Sequence, residues 1–254
     1  EMSRKEHERL GSRDSSSYIE EYHKIIGSDV IKSIIYGGLD GIITTFSIIA
    51  AAVGASLDMK VIITMGVANL IADGISMGLG DYLSSTFENK YIISEKEKEE
   101  YEYNHNKQYE VEELKELYHQ EGLEEKDAED IVNILSKEKY KDIFLKHMIN
   151  LELGLDLPDG NPIHEGAVTL FSFIIFGFIP VLFYIIFYAA DLEYDVSFII
   201  TCFISATTMF LLGFTQAIIT KQHKLKGGFI MMGNGVFASM CAFFIGYGLE
   251  KGIN

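Results

Sequence analysis

The sequence predicts an all-α integral membrane protein of five transmembrane helices, with an acidic three-helix domain inserted between spans 2 and 3. Three observations carry that prediction. Residues 168–190, 196–219 and 227–248 are apolar runs almost without charge. Each is long enough to cross a hydrocarbon core about 30 Å thick at about 1.5 Å per residue. Residues 31–56 and 61–83 share that length and bias but contain Asp40, Asp73 and Asp81. The stretch 85–165 holds 22 Asp and Glu against 10 Lys and Arg, a net of −12 out of the chain's −16.

Along the chain, residues 1–30 read as a polar tail, with a short helix near "YIEEYHKII". This tail has no apolar segment of its own, so the first span is expected to direct insertion. Spans 1 and 2 occupy 31–89. The sequence after span 2 lacks helix breakers until Gly122, so span 2 is expected to run on as one helix. A second helix fits 124–137, with Ile131, Ile134 and Leu135 on one face. A third fits 140–155, with Ile143, Phe144, Met148, Leu151 and Leu155 on one face. The domain 90–163 closes with the turn-rich "DLPDGNP", and spans 3–5 fill 164–250.

Basic residues orient the chain. Arg4, Lys5, Arg9, Arg13, Lys24 and Lys32 lie before or at the start of span 1, and "KQHKLK" (221–226) joins spans 4 and 5. The links "SLDMK" and "DLEYD" have one Lys between them. The excess of Lys and Arg marks the cytosolic side. The N-terminus, the acidic domain and the 221–226 loop are therefore expected in the cytosol. Cys202 and Cys241 lie in separate apolar runs and read as small buried residues, with no disulfide framework. The sequence has no P-loop and no dinucleotide-binding glycine pattern, and no nucleic-acid partner is expected.

Two groups of residues carry chemistry. In the membrane, Asn69, Asp73, Met77 and Asp81 recur every fourth residue and drift slowly around one side of a helix. Asp40 sits about one third of the way into span 1. An ionised Asp at mid-membrane costs about 2.5–3.5 kcal/mol on insertion scales, so it needs a partner or a pathway. The pair is either a hydrogen-bonded structural clasp or an ion site. A thioether at Met77 suits softer divalent metals better than Mg²⁺ or Ca²⁺. Gly37-x-x-x-Gly41 and Gly74-x-x-x-Gly78 permit the close helix approach that would bring Asp40 and Asp73 together.

In the insert, Glu99, Glu102, Glu110 and Glu113 fall within about 80° of one another on an uninterrupted helix. Such a stripe is either a solvated charge run or a cation site, because four like charges repel unless neutralised. Met148 and Glu152, four apart on the third helix, are placed to close it, and His119 and His147 are nearby donors without a fixed role. Glu20-x-x-His23 and Glu116-x-x-His119 have the spacing of di-iron bundles, but one lies in the tail and the other in the insert.

The motifs "GGLDGIITTFSIIAAAVGA" and "ANLIADGISMGLGDYLSS", with "EGL" at 121–123 and "LELGL" at 151–155, resemble those of the vacuolar iron transporter family. The resemblance implies a homodimer of five-span subunits in an intracellular storage-organelle membrane. It implies a multi-pass, lipid-embedded transporter, not an enzyme, moving Fe²⁺ and often Mn²⁺ out of the cytosol in exchange for protons. It assigns Asp40 and Met77 to the transport pathway, with Asn69 and Asp73 beside them. It assigns Glu99, Glu102, Glu110, Glu113, Met148 and Glu152 to a cytosolic metal-binding domain. The sequence departs from the family at Asn69, where a Glu is usual, at Ile149, where a second Met is usual, and at Ser33, where an acid is usual. Asp73 is expected to supply the carboxylate missing from position 69. The rival is a membrane-anchored metal sensor or buffer whose insert binds metal without transport.

Overall fold

A computed structural model describes residues 28–158 and 160–253. The N-terminal expectations (the short helix near residue 20, the basic tail and Glu20-x-x-His23) lie outside the described residues. Seven α-helices follow one another among those described: α1 (Ser28–Gly54), α2 (Met59–Gln120), α3 (Glu125–Leu135), α4 (Lys141–Leu153), α5 (Pro162–Ala189), α6 (Tyr194–Ile219) and α7 (Lys224–Ile253). A 3₁₀ turn, Glu138–Tyr140, precedes α4. Five helices (α1, α2, α5, α6 and α7) are long and apolar enough to cross a bilayer, as the hydropathy pattern requires. The chain divides into two compact units, one built from residues up to Leu79 together with Glu165 onward, the other from Gly80–His164.

Local chemistry sets the helix ends of the first unit. Asp58 Oδ1 accepts the Lys60 N–H at the start of α2. Ser56, Asp191 and Lys221 take left-handed φ values of 56°, 52° and 54°. Each closes its helix with a paired carbonyl motif, such as Ser56 N–H to Val53 O and Leu57 N–H to Ala52 O.

α1 is the best-buried of the spanning helices. Ile42 and Phe46 meet Met209 and Leu212 of α6, and the Ser47 and Ser239 hydroxyls lie 3.3 Å apart across α1 and α7. The glycine pairs act differently from the expectation. A Cβ at Gly37 would lie 2.8 Å from Thr169 O, and one at Gly41 would strike the Phe173 backbone; both are on α5. A Cβ at Gly78 would lie 2.9 Å from Gly166 O, again on α5. Neither pair joins α1 to α2. Both seat on α5, whose Gly177 faces Gly41 O of α1 and Leu70 of α2 at once. Of the cysteines, Cys202 is half-buried, but Cys241 is on the exposed face of α7, contrary to expectation.

In the second unit, the expected unbroken helix is broken. Asn106 has φ −134° and ψ 42°, so two helices meet there. The chain turns back at this residue: Tyr103 and Leu114, about 16 Å apart along a straight helix, share one core with Val132, Phe144, Leu145 and Met148. No Gly or Pro marks the break; the polar run His105–Gln108 has only weak helix preference at His and Asn. α3 buries Ala128 and Val132 and leaves Ile131 and Ile134 exposed, so its predicted face was rotated. α4 buries Phe144, Leu145, Met148 and Ile149, with Ile143 exposed. Gly122 (φ 101°) and Gly154 (φ 64°) supply the left-handed turns after α2 and α4. At the far end of this unit, Asn161 Oδ1 accepts the Ile163 N–H, with Pro162 at the first helical position of α5.

Candidate functional site

The acidic unit gathers the predicted glutamates. Carboxylate oxygens of Glu99, Glu102 and Glu110 all lie within 4.8 Å of one another. Glu99 and Glu102 come from the helix before Asn106, and Glu110 from the helix after it. Two i,i+3 pairs, 99/102 and 110/113, thus face each other across the turn. Three clasps hold the first of these helices to the α4 side. Lys141 Nζ donates to Glu100 Oε1 at 2.7 Å and to Asn104 Oδ1 at 3.0 Å. Lys96 lies 3.8 Å from Asp142, and Tyr103 Oη donates to Ser136 O at 3.0 Å.

The electrostatics are those of crowded, partly desolvated anions. Burial first, then the charges of Glu152, Glu110, Glu102 and Glu113, push the Glu99 carboxyl up to about 7. Glu110 is likewise pushed up to about 7, by burial and then by Glu113, Glu102 and Glu152. Glu152 is raised by burial and by Glu113, Glu102 and Glu95. Glu99 is 6% exposed, and its Oε2 is buried without a hydrogen-bond partner. Among the described residues, none of these five glutamates makes a salt bridge to Lys, Arg or His. A buried unpaired carboxylate is costly, so the arrangement favours protons or a cation.

The remaining predicted groups fall in different places. Met148 is fully buried in the apolar core of this unit. His147 Nδ1 is 2.5 Å from Tyr118 Oη, and His119 Nδ1 is 3.0 Å from Leu123 O. Glu116 is exposed, next to Gln120. Glu95 lies one turn before Glu99, at about 320° on the same projection, and its charge acts on Glu152.

In the first unit, Asp40 is exposed on the single chain, and its carbonyl accepts the Thr44 hydroxyl at 2.8 Å. Asn69, Asp73 and Met77 are half-buried along α2. Asn69 Nδ2 donates to Asp73 Oδ2 at 2.5 Å. The Asp40 and Asp73 carboxyls lie near enough for their charges to act on each other. Asp81 falls in the unit that begins at Gly80.

The chain is similar to known proteins over most of its length. A family model described as the VIT family matches residues 31–247. A vacuolar iron transporter of Toxoplasma gondii is 35% identical over 232 residues, covering 89% of this chain and 76% of that protein. One from Plasmodium falciparum is 32% identical over 235 residues, covering 90% and 85%. Vacuolar iron transporter 1 of Arabidopsis thaliana is 31% identical over 216 residues, covering 85% and 84%.

Proposed function

The chain belongs to the VIT family, and from that premise we propose that it carries Fe²⁺, and Mn²⁺ as a second substrate, from the cytosol into an intracellular storage compartment in exchange for protons. The observation that carries transport, against a membrane-anchored buffer, is the presence of carboxylates on two different spanning helices, Asp40 on α1 and Asp73 on α2. An anchor gains nothing from acids whose insertion costs a few kcal/mol each. Membership of a transporter family likewise favours transport over a di-iron enzyme.

In this reading the cytosolic Glu99, Glu102, Glu110, Glu113 and Glu152 collect the cation, while Met148 is packed in the apolar core of the unit. Two of these carboxyls titrate near 7. Each ion bound therefore displaces protons. In the membrane, Asp40 and Met77 are ligands and Asp73 supplies the charge that Asn69 cannot. The hydrogen bond from Asn69 engages one Asp73 oxygen and leaves the second for the ion. Carboxylate with thioether excludes Mg²⁺ and Ca²⁺ better than it ranks the transition metals, which geometry and supply must do.

A homodimer follows from the same logic. Asp40 is on the surface of the single chain, as are Val61, Met65, Ile71, Ile75 and Leu79 of α2. An acid cannot face lipid, so a second copy is the fitting cover. The cytosolic placement of the N-terminus and acidic unit rests on the basic residues, including Lys221, Lys224 and Lys226.

The test is metal uptake into sealed vesicles holding the purified protein, with Fe²⁺, Mn²⁺, Co²⁺ and Zn²⁺, with and without an imposed pH gradient. Uptake that rises when the vesicle interior is acid supports proton exchange. Metal binding without uptake would establish the buffer instead.

A further inference from the structure

Glu95 and Lys98 stand beside the glutamate cluster. Lys98 Nζ donates to Glu95 Oε1 at 2.6 Å. The Glu95 side chain is only 14% exposed, whereas that of Lys98 is 62% exposed. The pair is not electrostatically isolated: the Glu95 charge acts on Glu152 of α4, and the Lys98 charge is felt together with that of Glu102. An i,i+3 ion pair on an open helix surface needs no role beyond a few tenths of a kcal/mol of helix stability. This pair differs because its acid is covered and its charge reaches Glu152 of the glutamate cluster. Another member of that cluster presents a buried oxygen without a partner, Glu99 Oε2.

We propose that Glu95 is a further ligand of the metal site in the acidic unit and that Lys98 is its resident counter-ion, giving up the carboxylate when a divalent cation enters. The proposal rests on the reading of the glutamate cluster as a metal site. A covered carboxylate that stays ionised needs a cation beside it. Lys98 supplies one in the metal-free protein at little cost, because its ammonium group is mostly in water and its stem is flexible. A divalent ion brings more charge to the same oxygen and frees Lys98 to solvent. Lys98 is then a competitor of the metal, and its removal should tighten binding. A merely structural pair predicts the opposite sign or no effect.

The experiment titrates Co²⁺ into the full chain in detergent, followed by calorimetry, with thermal melts to confirm that each variant is folded. Glu95→Gln should weaken binding about tenfold. Lys98→Met should tighten it about threefold to fivefold, the range set by exposed ion pairs. Lys98→Arg should match the parent. In the Glu95→Gln background, Lys98→Met should change nothing, since the competition has lost its object. The gain for Lys98→Met is the decisive arm, because a misfolded protein does not bind more tightly. Unchanged or weaker binding by Lys98→Met, or tightening that persists without Glu95, overturns the proposal. A parent chain that binds no Co²⁺ overturns the metal-site reading itself, a different result from a binding parent with a silent pair.

Discussion

Metal affinity of this protein should collapse between about pH 8 and about pH 6, far above the range where ordinary glutamates titrate. The perturbation is acid alone. Glu99 and Glu110 both titrate near 7. Each is about 91% ionised at pH 8 and about 9% ionised at pH 6. An ion that needs both anions then finds them together in about 83% of molecules at pH 8 and in about 0.8% at pH 6, a loss of about 100-fold in apparent affinity. A pair of glutamates with the ordinary carboxyl value of about 4.3 would still be more than about 90% ionised together at pH 6. The sign for stability is the reverse. The folded, metal-free chain holds these protons between the ordinary carboxyl range and about 7, while the unfolded chain does not. Its stability should therefore fall as pH rises through 7. Calorimetry of Co²⁺ binding across this range measures the affinity. Repetition in buffers of different ionisation enthalpy counts the released protons, about one per ion at pH 7 from these two groups. An affinity constant within about threefold from pH 6 to pH 8 would refute the assignment of Glu99 and Glu110 as crowded metal ligands.

Three further outcomes are expected. Asp40→Asn should abolish vesicle uptake while the protein still inserts and assembles, and near-parental uptake would remove Asp40 from the pathway. Asp73→Asn should lower uptake severely, and adding Asn69→Glu should restore part of it by returning the charge one turn away; normal uptake by the single variant would reduce Asp73 to a hydrogen-bonding residue. Gly41→Val should destabilise the spanning unit by about 1–3 kcal/mol, an overpacking cost, because its Cβ meets the Phe173 backbone rather than a movable side chain. A melt shows this, with Gly80→Ala, where nothing lies within 4 Å, as the variant that should keep the midpoint or raise it, since Ala is favoured over Gly in a helix interior by about 1 kcal/mol.

The spanning helices were legible because a bilayer imposes one requirement, a long apolar run, that few other structures need. The glycine pairs were legible as places of close approach, but the partner was not: a sequence spacing marks a flat helix face without saying which neighbour lies on it, and here α5 receives both. Glu99, Glu102 and Glu110 do lie together, as expected, but for a reason the fold revises. The separations of 3, 8 and 3 were taken as one stripe, whereas the break at Asn106 makes them two short pairs opposed across a turn. Asn106 could not be read as a breaker, since its neighbours include neither Gly nor Pro. The rotated face of α3 has a similar origin. Ile131 and Ile134 are more hydrophobic than Ala128, yet Ala128 and Val132 are the residues α3 buries, with Leu135 packed against the core.

The hydrogen bond from Asn69 to Asp73 spans four residues of a single helix. Donor and acceptor are therefore together as soon as that turn of α2 winds, whether or not any other span has arrived. During biogenesis, an acid that depended on a distant helix for its partner would have to cross into lipid unaccompanied or wait at the translocon. Asp73 brings its own donor, so the insertion penalty is reduced before tertiary assembly begins. The order in which spans leave the translocon is then not constrained by this acid. Asp40, whose side chain has no such companion on its own helix among the described contacts, is the residue whose comfort depends on assembly.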